Sequence, residues 1–289
     1  MAGHRAAILF KRKLCNVLFL LPACIVFAVF VLVPFLQGIP LSLYQWDGYS
    51  DTRTFVGLSN YLQVFKDPNI TEVVGNTLFF TLLYLIGCNV IGLLLALLVK
   101  KTSKLNAVLR TIFFMPFVLS MILASFMFTY IYSDVFYALL GIKSFLGNVN
   151  YVNPAIAAIA IWKDSGYCMI IYIASLQMVP NEYYEAARIE GCSAIKSFFN
   201  ITMPLIVPAF TANITLILAW GMQAFDYQMA ATGGGPGHAS ETVGMYIYKN
   251  IFVYHNAGYG QAIGILLTAG LAVLTILLTS YLRRKEVEM

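Results

Sequence analysis

Two stretches place polar and charged side chains inside long apolar runs, and their residue types suit the handling of a solute. The first is Trp162-Lys163-Asp164-Ser165-Gly166-Tyr167. Lys163 lies well inside the run from Pro154 to Met178, and a lone charge near the centre of a bilayer costs about 2.5–3.5 kcal/mol. Lys163 and Asp164 are adjacent, so on a regular helix they do not face each other. Each calls for another partner, a polar cavity or a break in the helix, and Ser165-Gly166 is a place where a helix can break. The second stretch is Trp220-Gly221-Met222-Gln223-Ala224-Phe225-Asp226-Tyr227. Trp220, Gln223 and Tyr227 recur at i, i+3, i+7 and predict one stripe, and Gly221 permits close approach. An aromatic face beside an amide suits a sugar, because the ring stacks on C–H faces while the amide takes hydroxyls. The stripe also fits lipid or helix packing, above all at Phe225 and Tyr227. Lys163 and Asp164 equally fit pairing with a second subunit.

Bond-making chemistry has no comparable carrier. No Gly-Lys dipeptide occurs, which excludes the G-x-x-x-x-G-K-[ST] phosphate loop. There is no H-x-x-H, C-x-x-C or G-x-S-x-G pattern, and His4, His238 and His255 are scattered. Cys15, Cys24, Cys88, Cys168 and Cys192 lack metal-ligand spacing and a disulfide framework. Catalytic residues, metal ligands and a cofactor are therefore not expected in this chain.

The elements that must hold these residues are membrane helices. The chain is 60% hydrophobic and 11% charged, against about 25% charged in a soluble protein. Apolar runs long enough to span predict an all-α polytopic membrane protein with six transmembrane helices. They are placed at about 14–36, 73–99, 107–131, 154–178, 204–230 and 259–282. The first run is too long for a signal peptide and lacks a small-residue cleavage site. Six helices put both termini on one side. Arg5, Lys11, Arg12, Lys13, Lys100, Lys101, Lys104, Arg110, Arg188, Lys196, Arg283, Arg284 and Lys285 fall on that side. The opposite loops hold Arg53, Lys66, Lys143 and Lys249. The positive-inside rule then predicts cytoplasmic termini and a cytoplasmic loop between the fourth and fifth helices. The net charge of +5 is not a nucleic-acid signal, because the basic residues sit beside apolar runs.

That loop, Glu182–Pro208, is the most polar long segment of the C-terminal half. Asn181 is expected to cap a helix over 182–190, and Gly191 suits the left-handed position that ends it. Ser193 is expected to cap a second short helix over 194–200, and Pro204 fits the first turn of the next span. Tyr183, Ala186, Ala187 and Glu190 would share one face, on which two alanines permit close approach of another surface.

Glu185-Ala186-Ala187, then Gly191, then Ile201 and Pro204 resemble the EAA loop of ABC importer permeases, with Met203 where Leu is usual. Phe55-Val56-Gly57-Leu58-Ser59-Asn60-Tyr61 resembles the FxGLxNY segment of sugar-type members. The cluster Gly233–Gly237 resembles the TxGGP segment of maltose-type permeases, where contact with a binding protein or an outer gate is implied; a plain flexible loop fits as well. The resemblance implies a type I ABC importer permease fold in a bacterial-type cytoplasmic membrane. It divides the chain into an N-terminal helix and outer loop (1–72) and a five-helix core (73–289) with a coupling loop at 179–203. Glu185, Ala186, Ala187, Gly191, Ile201 and Pro204 would seat an ATPase. By position along the fourth and fifth helices, Asp164, Tyr167, Trp220 and Gly221 would contact sugar, with Lys163 and Gln223 beside them. The implied partners are a homologous sister permease, an ATP-binding cassette ATPase dimer carrying ATP and Mg, an extracellular solute-binding protein, the sugar and membrane lipid. A non-sugar ABC permease, for a glycerol phosphodiester or an amino acid, stands as the alternative. An ion-coupled secondary transporter, with Lys163 and Asp164 as its relay, leaves the Gly191 loop unexplained, and a membrane scaffold explains the helices but predicts no coupled ATPase.

Overall fold

The computed structural model describes residues 2–141 and 144–284; Lys143 and Lys285 of the charge pattern lie outside them. In chain order, α1 (Ala2–Phe27) runs through a π-helical stretch (Ala28–Leu32) into α2 (Val33–Leu41). A short antiparallel ribbon, β1 (Tyr44–Gln45) with β2 (Thr54–Phe55), is a small departure from the all-α expectation. Then come α3 (Ser59–Val64), α4 (Pro68–Val99), α5 (Lys104–Val118), α6 (Met121–Tyr130), α7 (Phe136–Leu140) and α8 (Val152–Met178). The remainder holds α9 (Asn181–Ile189), α10 (Ala194–Ser197), α11 (Met203–Leu205), α12 (Val207–Met222), α13 (Asp226–Thr232), α14 (Val243–Tyr248) and α15 (Ala257–Arg283).

By length and composition, Cys15–Leu41, Pro68–Val99, Met121–Leu139, Val152–Met178 and Ala257–Arg283 are long and apolar enough to cross a membrane. Ala194–Leu205 with Val207–Met222, bent by 65°, makes a sixth when counted as one span. Two expected helices are broken. The third splits after α5: Pro116 lies in the last turn, Leu119 is extended, and Ser120 Oγ accepts from the Leu123 amide at 3.2 Å to start α6. The fifth breaks at Ile206, between Pro204 and Pro208, and Pro208 cannot donate a backbone bond. It ends again at Gln223, before α13. The fourth is one unbroken helix, so Ser165-Gly166 does not interrupt it.

The chain forms two compact units. One holds the chain up to Val64 together with Asn250–Ile265. In it, Asn60 Nδ2 donates to the carbonyls of Ser42 and Tyr44 at 2.8 and 3.0 Å, and Ser42 Oγ bonds Tyr61 OH at 2.7 Å. Gly258 lies so close to the Tyr44 carbonyl that a Cβ would collide with it. Asn60 and Tyr61 of the FxGLxNY segment thus fasten a folded turn.

The other unit holds Phe65–Lys249 and the chain from Leu266. Its core lies along α4 and α8, where Phe80, Tyr84 and Cys88 meet Ile156, Ile159, Met169 and Tyr172, all essentially inaccessible. Small residues let the two backbones approach: a Cβ on Gly92 would sit 2.7 Å from Cys168 Cβ. The cysteines among the described residues are free, with Cys88 and Cys168 buried.

Candidate functional site

Asp164, on α8, is 1% exposed and Lys163 is 4% exposed. Contrary to the expectation from helix geometry, they do pair: Lys163 Nζ reaches Asp164 Oδ1 at 3.1 Å. The flexible lysine stem folds back along its own helix, which a rigid i, i+1 picture leaves out. Each also has a further partner in this chain. Tyr84 OH on α4 and Tyr227 OH on α13 donate to Asp164 Oδ2 at 2.6 and 2.8 Å. Lys163 Nζ donates to the Phe117 carbonyl at 3.2 Å and lies 4.9 Å from the centre of the Phe117 ring. That carbonyl is free to accept because α5 ends one residue later, at Val118.

An aromatic cluster grows from Phe117. Its ring stacks on Tyr167 at 4.9 Å and on Trp220 at 6.4 Å, and Tyr167 meets Trp220 at 5.5 Å. Tyr167 and Trp220 are half-buried. Gly221 is where α12 meets α4, and a Cβ there would fall 2.8 Å from Thr81 Cγ2. The structure therefore gathers Lys163, Asp164, Tyr167, Trp220 and Gly221 into one neighbourhood.

The predicted stripe of Trp220, Gln223 and Tyr227 does not survive as one helix face. Gln223 caps the C-terminus of α12 and Tyr227 belongs to the separate α13. The break brings them together differently. A cavity of about 180 Å³ is lined by residues including Phe80, Tyr84, Trp220, Gln223, Asp226 and Tyr227. Gln223 and Asp226 are exposed, whereas Tyr227 is buried. Phe117, Tyr84 and Asp226 are the residues that sequence reading passed over as site members. Asp226 stood within the singled-out stretch, while Phe117 and Tyr84 carry no local signal.

The polar loop forms a second constellation. Pro180, not Asn181, occupies the cap position of α9, and no side chain caps it. The C-terminal end follows expectation. Gly191 has φ +72, its amide donates to the Arg188 carbonyl at 3.0 Å, and the Cys192 amide donates to the Ala187 carbonyl at 2.8 Å. Ser193 Oγ accepts from the Lys196 amide at 3.3 Å and starts α10. The expected shared face is divided: Ala187 is buried, while Tyr183, Ala186 and Glu190 are exposed. Tyr184 OH bonds Thr202 Oγ1 at 3.1 Å and turns that side inward. Ile201 and Pro204 are half-buried, and Glu185 and Gly191 exposed. Pro204 lies at the N-terminal end of the three-residue α11, before the bend, and it is Pro208 that sits in the first turn of the following α12. Ile189, Ile195 and Phe199 are 88%, 74% and 60% exposed, three large apolar side chains on an otherwise polar loop. Beside it a cleft of about 880 Å³ is lined by Lys100, Lys101, Glu185 and Arg188 among others.

The glycine cluster is tied down. Ser240 Oγ donates to the Gly235 carbonyl at 2.8 Å, and Glu241, fully buried, pairs with Lys249 Nζ at 3.1 Å and with His238.

Known proteins resemble this chain in sequence and in fold. The chain is 33% identical over 266 residues to the probable ABC transporter permease protein YurN of Bacillus subtilis, covering 88% of this chain and 90% of the relative. It is 29% identical to the probable starch degradation products transport system permease protein AmyD of Thermoanaerobacterium thermosulfurigenes, over 97% and 98%. The crystal structure of a bacterial ABC transporter involved in the import of the acidic polysaccharide alginate superposes with a TM-score of 0.80 at 21% identity, covering 97% of this chain and 99% of that one. Residues 88–287 match the family of binding-protein-dependent transport system inner membrane components, and the chain belongs to that family.

Proposed function

We propose that this chain is one permease subunit of an ATP-driven, binding-protein-dependent importer that moves a saccharide across the cytoplasmic membrane. The relative named for starch degradation products supports a saccharide, and so does the cluster of Phe117, Tyr167 and Trp220 beside Gln223. Tyr167, Trp220 and Gln223 form the solute-facing wall, and Gly221, packed against Thr81, lets α12 carry that wall close to α4. Lys163 and Asp164 stand behind it as the pair that holds the wall in place. Residues 73–289 supply the transport core, and 1–72 the additional helix and outer loop. Both termini and the loop at 179–203 face the cytoplasm, as the Lys/Arg distribution favours.

The observation that carries the coupling role is the exposed apolar surface on the helix–glycine–helix loop, Ile189, Ile195 and Phe199. A soluble-side loop that exposes three large apolar side chains within eleven residues is suited to a protein partner. That partner is the ATPase dimer, which binds ATP and Mg on separate subunits. Glu185, Ala186 and Gly191 meet it directly. Ala187, Ile201 and Pro204 fix the loop to the membrane helices, so closure of the ATPase moves α9 and α10 as a rigid body. A homologous sister permease completes the pathway, and an extracellular solute-binding protein delivers the saccharide.

The test is a pull-down of the tagged chain from detergent-solubilised membranes, with mass identification and ATP-dependent uptake in proteoliposomes. A second permease and an ATPase are expected to copurify, and uptake is expected to need ATP. A chain that comes down alone, or uptake that runs on an ion gradient without ATP, overturns the proposal.

A further inference from the structure

Resting on the saccharide reading, we infer that the transported solute is uncharged and that Asp226 is the residue that selects against anionic solutes. Of the residues lining the 180 Å³ cavity, Asp226 alone carries a formal charge, and that charge is negative. It is exposed and begins α13, so its carboxylate is available to a solute. The wall behind it offers no free cation. Lys163 is committed to Asp164 Oδ1 and to the Phe117 carbonyl, and it is 4% exposed. Two lining residues, Tyr84 and Tyr227, spend their hydroxyl protons on Asp164 Oδ2. A second carboxylate therefore sits one hydrogen bond behind the cavity wall.

A saccharide bearing a carboxylate or phosphate would meet Asp226 with no cation among this chain's lining residues to offset it, in surroundings that screen charge less than bulk water does. A neutral saccharide suits the same wall. Its hydroxyls donate to Asp226 in charge-assisted bonds, Gln223 supplies an amide, and Trp220 takes a C–H face. The residue thus favours hydroxyl donors and opposes anions by the same charge.

The experiment uses the complete importer, purified with its partners in nanodiscs, and reads the emission difference between the chain with Trp220 and its Trp220→Phe variant, so that the difference reports the cavity. The probes are maltotriose and its acidic counterpart trigalacturonate. Maltotriose is expected to shift the emission saturably, with trigalacturonate about ten-fold weaker or more. Asp226→Asn, a nearly isosteric change at an exposed position, is expected to narrow that gap about ten-fold, and Asp226→Lys to reverse it. Equal binding of the two probes by the unaltered site overturns the inference and leaves the saccharide reading standing. A gap that neither variant changes does the same. If neither probe moves Trp220 emission, the saccharide reading at this site fails, and the inference falls with it.

Discussion

The hydroxyl of Tyr84 on α4 donates to Oδ2 of Asp164 on α8 at 2.6 Å, and Tyr227 on α13 donates to the same oxygen at 2.8 Å. One buried carboxylate therefore fastens two further helices to α8, while its other oxygen holds Lys163. Removing the carboxylate strands a buried ammonium, whereas removing one phenol hydroxyl leaves the pair intact. Asp164→Ala is expected to cost about 3–5 kcal/mol, and Tyr84→Phe about 1.5–3 kcal/mol. Thermal unfolding in detergent checks this, with a thiol dye reporting buried Cys88 and Cys168 in a background lacking Cys15, Cys24 and Cys192. Equal losses from the two variants would contradict the central place given to Asp164.

The parts legible in the sequence were those with local chemistry. Gly191 stands where only a left-handed residue closes the helix, Ser193 where a hydroxyl caps the next, and long apolar runs mark the spans. Helix breaks were less legible. Pro116 and Pro204 sit inside apolar runs, and whether a helix bends or ends near a proline depends on what receives the carbonyls left open at the helix end. At Phe117 the receiver is Lys163, far away in sequence. The stripe of Trp220, Gln223 and Tyr227 is not one helical face because α12 ends at Gln223, where no proline marks the break. Its members still meet around one cavity, because the end of α12 turns the chain there. The partners of Asp164 come from helices distant in sequence, so no local window contains them.

Gly191 needs its positive φ and little else, since nothing lies within 4 Å of the position a Cβ would take. Gly191→Ala therefore costs only the left-handed conformation, about 1–2 kcal/mol. The expected result is normal membrane insertion and assembly, continued ATP hydrolysis and reduced uptake. Gly191→Asn should retain more uptake than Ala, because Asn tolerates this region better. Simultaneous ATPase and uptake assays on the reconstituted complex decide it, and undiminished uptake by the Ala variant would refute the coupling role.

Glu241 is fully buried and pairs with Lys249, itself mostly covered, at 3.1 Å. Glu241→Gln keeps the shape and removes the charge, leaving Lys249 without its carboxylate. The expected loss is about 1–3 kcal/mol, felt locally through Ser240 and the glycine loop it holds. Hydrogen exchange of the amides from Gly233 to Thr242 should rise by about ten-fold or more, with α8 unaffected. Unchanged exchange in the loop would mean that Ser240, Thr232 and the backbone bonds suffice to hold it.

Trp220 separates the solute role from packing, because the two roles predict different orders of variants. Its ring meets Tyr167 at 5.5 Å and Phe117 at 6.4 Å, but it remains half-buried and lines the cavity. If the ring only filled space, Trp220→Leu would do nearly as well as Trp220→Phe. If it stacks on a saccharide, an aromatic face is required, and a lost stacking contact of about 0.5–1.5 kcal/mol raises KM by roughly two- to ten-fold. Trp220→Phe is expected to keep most of the uptake, while Trp220→Leu and Trp220→Ala raise KM with the complex still assembled. Uptake kinetics in proteoliposomes, set beside the thermal unfolding of each variant, give the answer. A KM that follows stability across the three variants, with Leu equal to Phe, would reduce Trp220 to a packing residue and move the solute wall elsewhere.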